Sequence, residues 1–199
     1  MTDLFQQAPD ATALSPTERD QLLQSWITTR AELNEAEAEN IINGATWARR
    51  RRATDATDLL NENYVKALHK HMFGDVWSWA GAYRQRESNI GNVEPHRIQV
   101  EVQALFNDVE YWVKHQTYDR DEIAVRLHHR LVVIHPFVNG NGRHTRLMAD
   151  LLVTKLGGEP FSWGAGELGD TGPLRERYMA ALRAADGHEI GSLLAFARS

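Results

Sequence analysis

The chain has 199 residues, 22 basic and 27 acidic side chains for a net charge of −5, and no cysteine. That length suits one domain with a sizeable core; the acidic balance offers no nucleic-acid footprint, and the missing thiols exclude disulfides and thiolate metal sites and fit a reducing compartment. No basic-then-apolar leader opens the sequence, and no apolar run approaches the ~20 residues a membrane span needs, so the expectation is a soluble, cytoplasmic protein without membrane or direct nucleic-acid contacts.

In chain order, the elements read as helix after helix. "SPTERDQLL" offers Ser15 as cap, Pro16 at the first helical position and Glu18 closing a capping box. "TRAELNEAEAENIINGATWARRRR" is rich in helix formers and ends on cations, as a helix C-terminus favours. Asn61 to Phe73 follows, with Val65, Leu68 and Met72 on one face. The segment "YRQRESNIGNVEPHRIQV" interrupts the pattern: Gly91, Asn92 and Pro95 between short apolar pieces suit a small β-hairpin or an ordered loop. Val102, Leu105, Phe106, Val109, Trp112 and Val113 then form the clearest amphipathic stripe. "DRDEIAVRLHHRLVVI" opens with Asp119 and Glu122 at capping-box spacing, "RHTRLMADLLVTKL" stops at Gly157-Gly158, and a last helix takes Leu174 to Ala185. The fold class is all-α with one small hairpin.

Chemistry concentrates between the Asp119 and Arg143 helices, in "IHPFVNGNGRHTR". Pro136 disfavours helical geometry at His135, so the helix should end there and leave the imidazole at its tip. Gly140 and Gly142 permit backbone angles closed to other residues, which lets successive N–H groups converge on an anion. The next helix begins at about Gly142, and its N-terminal dipole favours negative charge. Arg143 and Arg146 project from one face of its first turns, and two guanidinium forks suit a polyphosphate. The parts describe a phosphate cradle with a histidine at its edge, and no P-loop lysine pattern accompanies them. Taken singly, a Gly-Asn-Gly is a helix–helix turn and a histidine a surface residue; it is their joint occurrence in one window that points to function. His128, His129 and His144 raise a metal cluster as an alternative, but no HExxH or paired carboxylate completes a zinc site.

"HPFVNGNGRHTR" resembles the signature of the Fic/Doc family: His-Pro-Phe, two variable positions with the second usually acidic, Gly-Asn-Gly-Arg, two more, and Arg. "LHKHMFGDVWSWAGAYR" and "RERYMAALRAADGHEIGSLLAFA" resemble the family's segments before the flap and at the C-terminus, and over nearly its whole length the chain is similar to the subfamily called mobile mystery protein B. The resemblance implies a Fic-type helical core over 59–199 with a flap hairpin, roughly Arg86 to Gln99, that aligns a target segment. Residues 1–58 would form an N-terminal helical extension. It implies a protein adenylyltransferase with ATP as substrate and Mg²⁺ as cofactor, acting on a target protein's Ser, Thr or Tyr hydroxyl. His135 would be the general base. Asn139 stands at the magnesium position, where a carboxylate is usual. The Gly140–Gly142 backbone and the Asn141 side chain would hold the α- and β-phosphates, with Arg143 on the β- and Arg146 on the γ-phosphate. Phe137 would anchor the loop, and Tyr178 would lie toward the nucleotide base.

Many members also carry an inhibitory helix of the form Ser/Thr-x-x-x-Glu-Gly/Asn. Here, within about 29–48, "EAEAEN" supplies Glu39-Asn40, with Glu35 where Ser or Thr is usual. Glu39 is thus the expected inhibitor, pairing with Arg146, and a solvated helix residue is the plain alternative. The subfamily's name suggests a helix-turn-helix regulator as a further partner. Rival functions are another Fic-type nucleotide or phosphate transfer, de-AMPylation, or a nucleotide-binding interaction module of a toxin-like system with weak catalysis.

Overall fold

The computed structural model describes residues 20–27, 30–50, 55–88, 90–165 and 172–199. They contain α1 (Arg30–Arg50), α2 (Glu62–Phe73), α3 (Ile98–His115), α4 (Arg120–Ile134), α5 (Asn141–Lys155), α6 (Pro173–Asp186) and α7 (Gly191–Ala197), with short 3-10 turns at Ala56–Leu59 and Pro95–Arg97. The sequence signals that act through side chains explain most boundaries. Asn61 caps α2 by accepting the Tyr64 N–H at 2.8 Å. Pro173 opens α6, where its missing N–H costs nothing. Leu156 ends α5, and Gly157 follows at φ 80°.

The antiparallel pair α4 and α5 forms the centre, with α3 against α4, α1 along α2, and α6 on α7. Val65, Leu68 and Met72 of α2, Val102, Leu105 and Phe106 of α3, Leu127 and Leu131 of α4, and Met148 and Leu152 of α5 meet in one buried core. The close approach of α1 to α2 needs Gly44: a Cβ there would stand 2.6 Å from Met72 Cγ and 2.9 Å from its backbone N.

Several expectations change. Ser15 to Glu18 lie outside the described residues, and the described end of that segment, 20–27, is turn rather than helix. Its backbone bonds go across to another segment, Leu23 N–H to Val76 O at 2.8 Å and Ser78 N–H to Gln21 O at 3.0 Å, so the helical pattern lost to long-range pairing. Asp119 takes the cap position of α4 without a side-chain cap bond, because Glu122 pairs with Arg126 at 2.6 Å instead of closing a box. α7 breaks off the C-terminal segment after Gly187 and His188, the latter at φ 68°.

The flap is an ordered loop, not a β-hairpin. Among the described residues the only pairings of strand type are two isolated bridges, Leu22 with Trp77 and Tyr83 with Phe137. The physical reason is where the flap's backbone groups go. Asn92 N–H donates to Val133 O at 3.2 Å, and the carbonyls of Arg86 and Val93 both accept from Arg84. Bonds spent on a helix end and a guanidinium are not available for a ladder.

Candidate active site

His135 closes α4 in the left-handed conformation, φ 49° and ψ 60°; the following proline disfavours right-handed helical angles at this residue, though it does not by itself select the left-handed ones. The residue is buried at 5% exposure. Burial, reinforced by the Arg84 guanidinium, lowers its pKa to about 4, against a ring hydrogen bond to the Val132 backbone that works the other way. The imidazole is therefore neutral at physiological pH and keeps one nitrogen able to accept a proton.

The loop that follows is pinned from inside. Asn141 is buried, and its amide closes the loop on itself: Oδ1 accepts the Phe137 N–H and Nδ2 donates to Phe137 O, both at 2.9 Å. Each polar atom of Asn141 makes one bond within the loop, and an amide nitrogen carries a second N–H, so the expected contact of this side chain with phosphate stays a proposal. Gly140, at φ 74°, opens α5, and any side chain there would meet the Phe73 ring at 2.4 Å. The first-turn amides of α5 have no intrahelical acceptor and face out of the helix end. Asn139 is half-buried; its Oδ1 accepts the Gly140 N–H at 2.7 Å. Its backbone carbonyl receives His69 Nε2 at 3.0 Å, while His69 Nδ1 accepts the Gly81 N–H at 3.0 Å. Those two bonds fix one neutral tautomer, and burial holds the pKa of His69 well below its ordinary value. The same ring stacks on Phe137, with centroids 3.7 Å apart.

The two arginines have different company. Arg143 donates to Glu37 Oε2 at 2.6 Å and lies over the Phe73 ring at 5.0 Å. Glu37 is buried, and its other oxygen accepts Trp77 Nε1 at 2.8 Å. Arg146 is half-buried and hydrogen-bonded to Tyr178, and its Cζ lies 5.6 Å from that ring's centre. Tyr178 is buried, and its hydroxyl meets His128 Nε2 at 3.0 Å. A buried ring so engaged supports Arg146, and its expected place toward the nucleotide base stays a proposal. Behind Arg146, Asp150 accepts Trp163 Nε1 at 3.0 Å and the Phe161 N–H at 3.1 Å, and burial raises its pKa to about 6.

Glu39 is exposed, and the carboxylate that reaches the cradle belongs to Glu37, on Arg143 rather than Arg146. Residues two apart on a helix point to nearly opposite sides, so Glu37 and Glu39 cannot share a face. Leu33, Glu37, Asn40 and Gly44 are spaced to face inward together. Asn40 is buried and doubly bonded to Asp75, Nδ2 to Oδ2 at 2.8 Å and Oδ1 from the backbone N–H at 3.0 Å.

The histidines separate as well. His128 serves Tyr178, His129 pairs with Asp186 at 2.8 Å, and His144 meets Val65 O at 3.1 Å. Among the described residues no group of three or more His, Cys, Asp and Glu side chains could hold a metal ion, and no helix is long and apolar enough to cross a membrane. For magnesium, position 139 offers one neutral amide oxygen that already accepts a hydrogen bond.

The residues that sequence reasoning missed are Glu37, His69 and Arg84. Helical spacing from the buried Leu33 and Gly44 could have indicated Glu37. Nothing local marks His69, which bonds Asn139, or the reach of Arg84 to Ile134 and His135, partners that are distant in sequence.

Comparisons with known proteins bear on the family and the fold. The Fic/DOC family profile matches residues 59–153. Protein adenylyltransferase fic-1 of Caenorhabditis elegans is 27% identical over 145 residues, 71% of this chain and 26% of that protein. Protein adenylyltransferase Fic of Drosophila sechellia is 31% identical over 100 residues, 48% of this chain and 20% of that protein. The chain thus spans about a quarter of the length of these relatives. Among solved structures, the N-terminal Fic domain of a cell filamentation protein from Bartonella quintana superposes with TM-score 0.67 at 17% identity, covering 91% of both chains. BepC from Bartonella tribocorum, solved with bound AMPPNP, gives TM-score 0.67 at 15% identity, covering 92% of this chain and 97% of that one. Identities this low speak for the fold.

Proposed function

We propose that the chain, whose residues 59–153 match the Fic/DOC family profile, is a protein adenylyltransferase. In the reaction, His135 takes the proton of a Ser, Thr or Tyr hydroxyl on a target protein. The oxygen then attacks the α-phosphorus of ATP, the bond from that phosphorus to the bridging oxygen breaks, and pyrophosphate leaves. A positioned general base contributes typically ~10²–10⁴-fold. The first-turn amides of α5 and the Gly140–Gly142 backbone would receive the α- and β-phosphates, Arg143 the β- and Arg146 the γ-phosphate. Tyr178 and Asp150 would keep Arg146 in place.

One observation carries the reading. A neutral, buried His135 and an open helix N-terminus bearing two arginines share one short loop. The likeness to protein adenylyltransferases and the AMPPNP bound to BepC support it. Magnesium would be held chiefly by the nucleotide's own phosphates, with the Asn139 amide as a single protein ligand. It would neutralise charge on the transferring phosphates.

Glu37 supports autoinhibition. Its carboxylate holds the guanidinium that the polyphosphate needs, so the resting protein would bind ATP against a resident anion. That same contact, with the neutral Asn139, favours the second reading, a nucleotide-binding module with weak transfer. The helix-turn-helix partner suggested by the likeness to mobile mystery protein B, and a cytoplasmic location, belong with these proposals.

The test is incubation with magnesium and ATP labelled at the α- or the γ-phosphate. Protein-bound α-label is the expected result; γ-label would replace AMP transfer by phosphate transfer, and neither label with measurable ATP binding would favour the module.

A further inference from the structure

Arg84 is 3% exposed, follows the turn "WAGAY", and carries its charge into the interior. Its guanidinium donates to carbonyl oxygens only: Nε to His135 at 2.7 Å, Nη2 to Ile134 at 3.3 Å and to Val93, and Nη1 to Arg86 at 2.7 Å. Its backbone N–H donates to Pro136 O at 2.9 Å. The nearby carboxylate, Glu87, acts on it through space. A buried cation is costly unless every donor is satisfied, so this arrangement calls for a reason.

Capping α4 is part of that reason, since a cation is favoured at a helix C-terminus. It accounts for the Ile134 and His135 carbonyls and not for those of Arg86 and Val93, which belong to the flap. The four acceptors therefore lie on two separate segments, the base-bearing helix end and the flap. The two also touch directly: a Cβ on Gly91 would come within 2.5 Å of His135 Cβ, and Asn92 N–H reaches Val133 O at 3.2 Å. Arg84 has no bond to Arg143, Arg146 or the Gly140–Gly142 turn. Its influence is confined to the acceptor side of the site.

We propose that Arg84 is a positioning residue that sets the distance and orientation between the flap and His135, so that the hydroxyl of a docked target segment meets the base. A rigid fork is required for this, because a lysine has donors on a single nitrogen and cannot reach across both segments. The inference rests on the transfer reaction proposed above for its catalytic consequence, but the spacing itself is open to independent measurement.

The experiment compares the full chain with Arg84→Gln and Arg84→Lys by hydrogen exchange, ATP titration and labelling with α-labelled ATP. Both variants are expected to lose protection in the flap and at the end of α4 while α5 keeps it. ATP affinity should stay within about twofold, and transfer should fall on the order of 10²-fold, the size of effect that small misplacements bring. Uniform loss of protection along the chain, wild-type transfer in Arg84→Gln, or ATP affinity falling in step with transfer would each overturn the proposal. If Arg84→Gln does not fold, Arg84→Lys decides, and wild-type flap protection and transfer in it would also overturn the positioning role. If the wild-type chain transfers nothing, the adenylyltransferase reading fails, and the flap's exchange in the variants alone judges the coupling.

Discussion

Around the loop from His135 to Arg146, buried side chains grip backbone atoms: Arg84 the carbonyls of Ile134 and His135, His69 the carbonyl of Asn139, and Asn141 both polar groups of Phe137. Across α1, side chains chiefly grip side chains: Glu37 meets Arg143 and Trp77, and the Asn40 amide meets the Asp75 carboxylate. The first kind of contact fixes chain geometry and leaves the chemistry-bearing groups unspent. The second kind spends one of those groups, because Arg143 cannot serve a carboxylate and a phosphate at full strength together. The loop is thus built to be permanent and the helix contact to be exchanged.

The strongest test of the permanent half is His135→Ala. The phosphate-binding groups do not depend on the imidazole, so transfer should fall by ~10²-fold or more while ATP affinity stays near wild type. Self-modification at the wild-type rate would remove His135 as base. The pH profile adds a second arm. A base must be unprotonated, and with its pKa at about 4 the His135 ring stays neutral well below 6.5, so transfer should persist through 6.5 and fall only as pH approaches about 4.

Stability has its own pH window with a worked sign. His128 and His144, with pKa values lowered by burial to about 3 and about 4, bind protons in the unfolded chain at 6.5 but not in the fold. Their contribution is intact above 6.5 and is lost as pH falls from 6.5 toward those values, at up to 1.36 kcal/mol per unit for each group. Asp150 opposes this: raised from 3.8 to about 6, it takes up its proton in the fold first and favours the folded state as pH drops through that interval. Thermal melting should show a net decline below 6.5, and Asp150→Asn should steepen it.

The exchangeable half predicts a gain. Glu37→Ala should release Arg143 and raise transfer about tenfold, which requires only ~1.4 kcal/mol of relieved competition. It should also lower the melting temperature, since Trp77 Nε1 is left buried without its acceptor, a loss of ~1–3 kcal/mol. Glu39→Ala, on the exposed side of α1, should change neither. Equal activation by both substitutions would show that α1 inhibits without the Glu37–Arg143 contact.

What the sequence made legible follows the same division. The motif loop is local, so a proline, two glycines and two arginines carry its geometry in their order, and the helices around it are written in apolar spacing. The lack of a ladder among the flap's described residues was not legible, because Arg84, at the start of the segment, takes the carbonyls of Arg86 and Val93. Nor was the carboxylate that meets Arg143: "EAEAEN" offers acidic residues at 35, 37 and 39, and the motif's frame selects the last. Which one faces the cradle depends on how α1 rolls onto α2, set by Gly44 against Met72 and by Asn40 on Asp75.

Position 139 carries the smallest expected effect, because the loop geometry does not hinge on its charge. Asn139 Oδ1 accepts the Gly140 N–H, and an aspartate oxygen can accept it in the same place. The substitution Asn139→Asp would therefore leave the turn intact and add a negative charge where the cradle now supplies a neutral amide. Magnesium prefers carboxylate oxygen, so the concentration giving half-maximal transfer should fall, on the order of a few-fold, with the rate rising at limiting magnesium. The comparison belongs in the Glu37→Ala background, where the resident carboxylate no longer competes at Arg143 and a change at the metal can reach the rate. Superimposable magnesium titrations for the two chains would show that residue 139 shapes the loop without touching the ion.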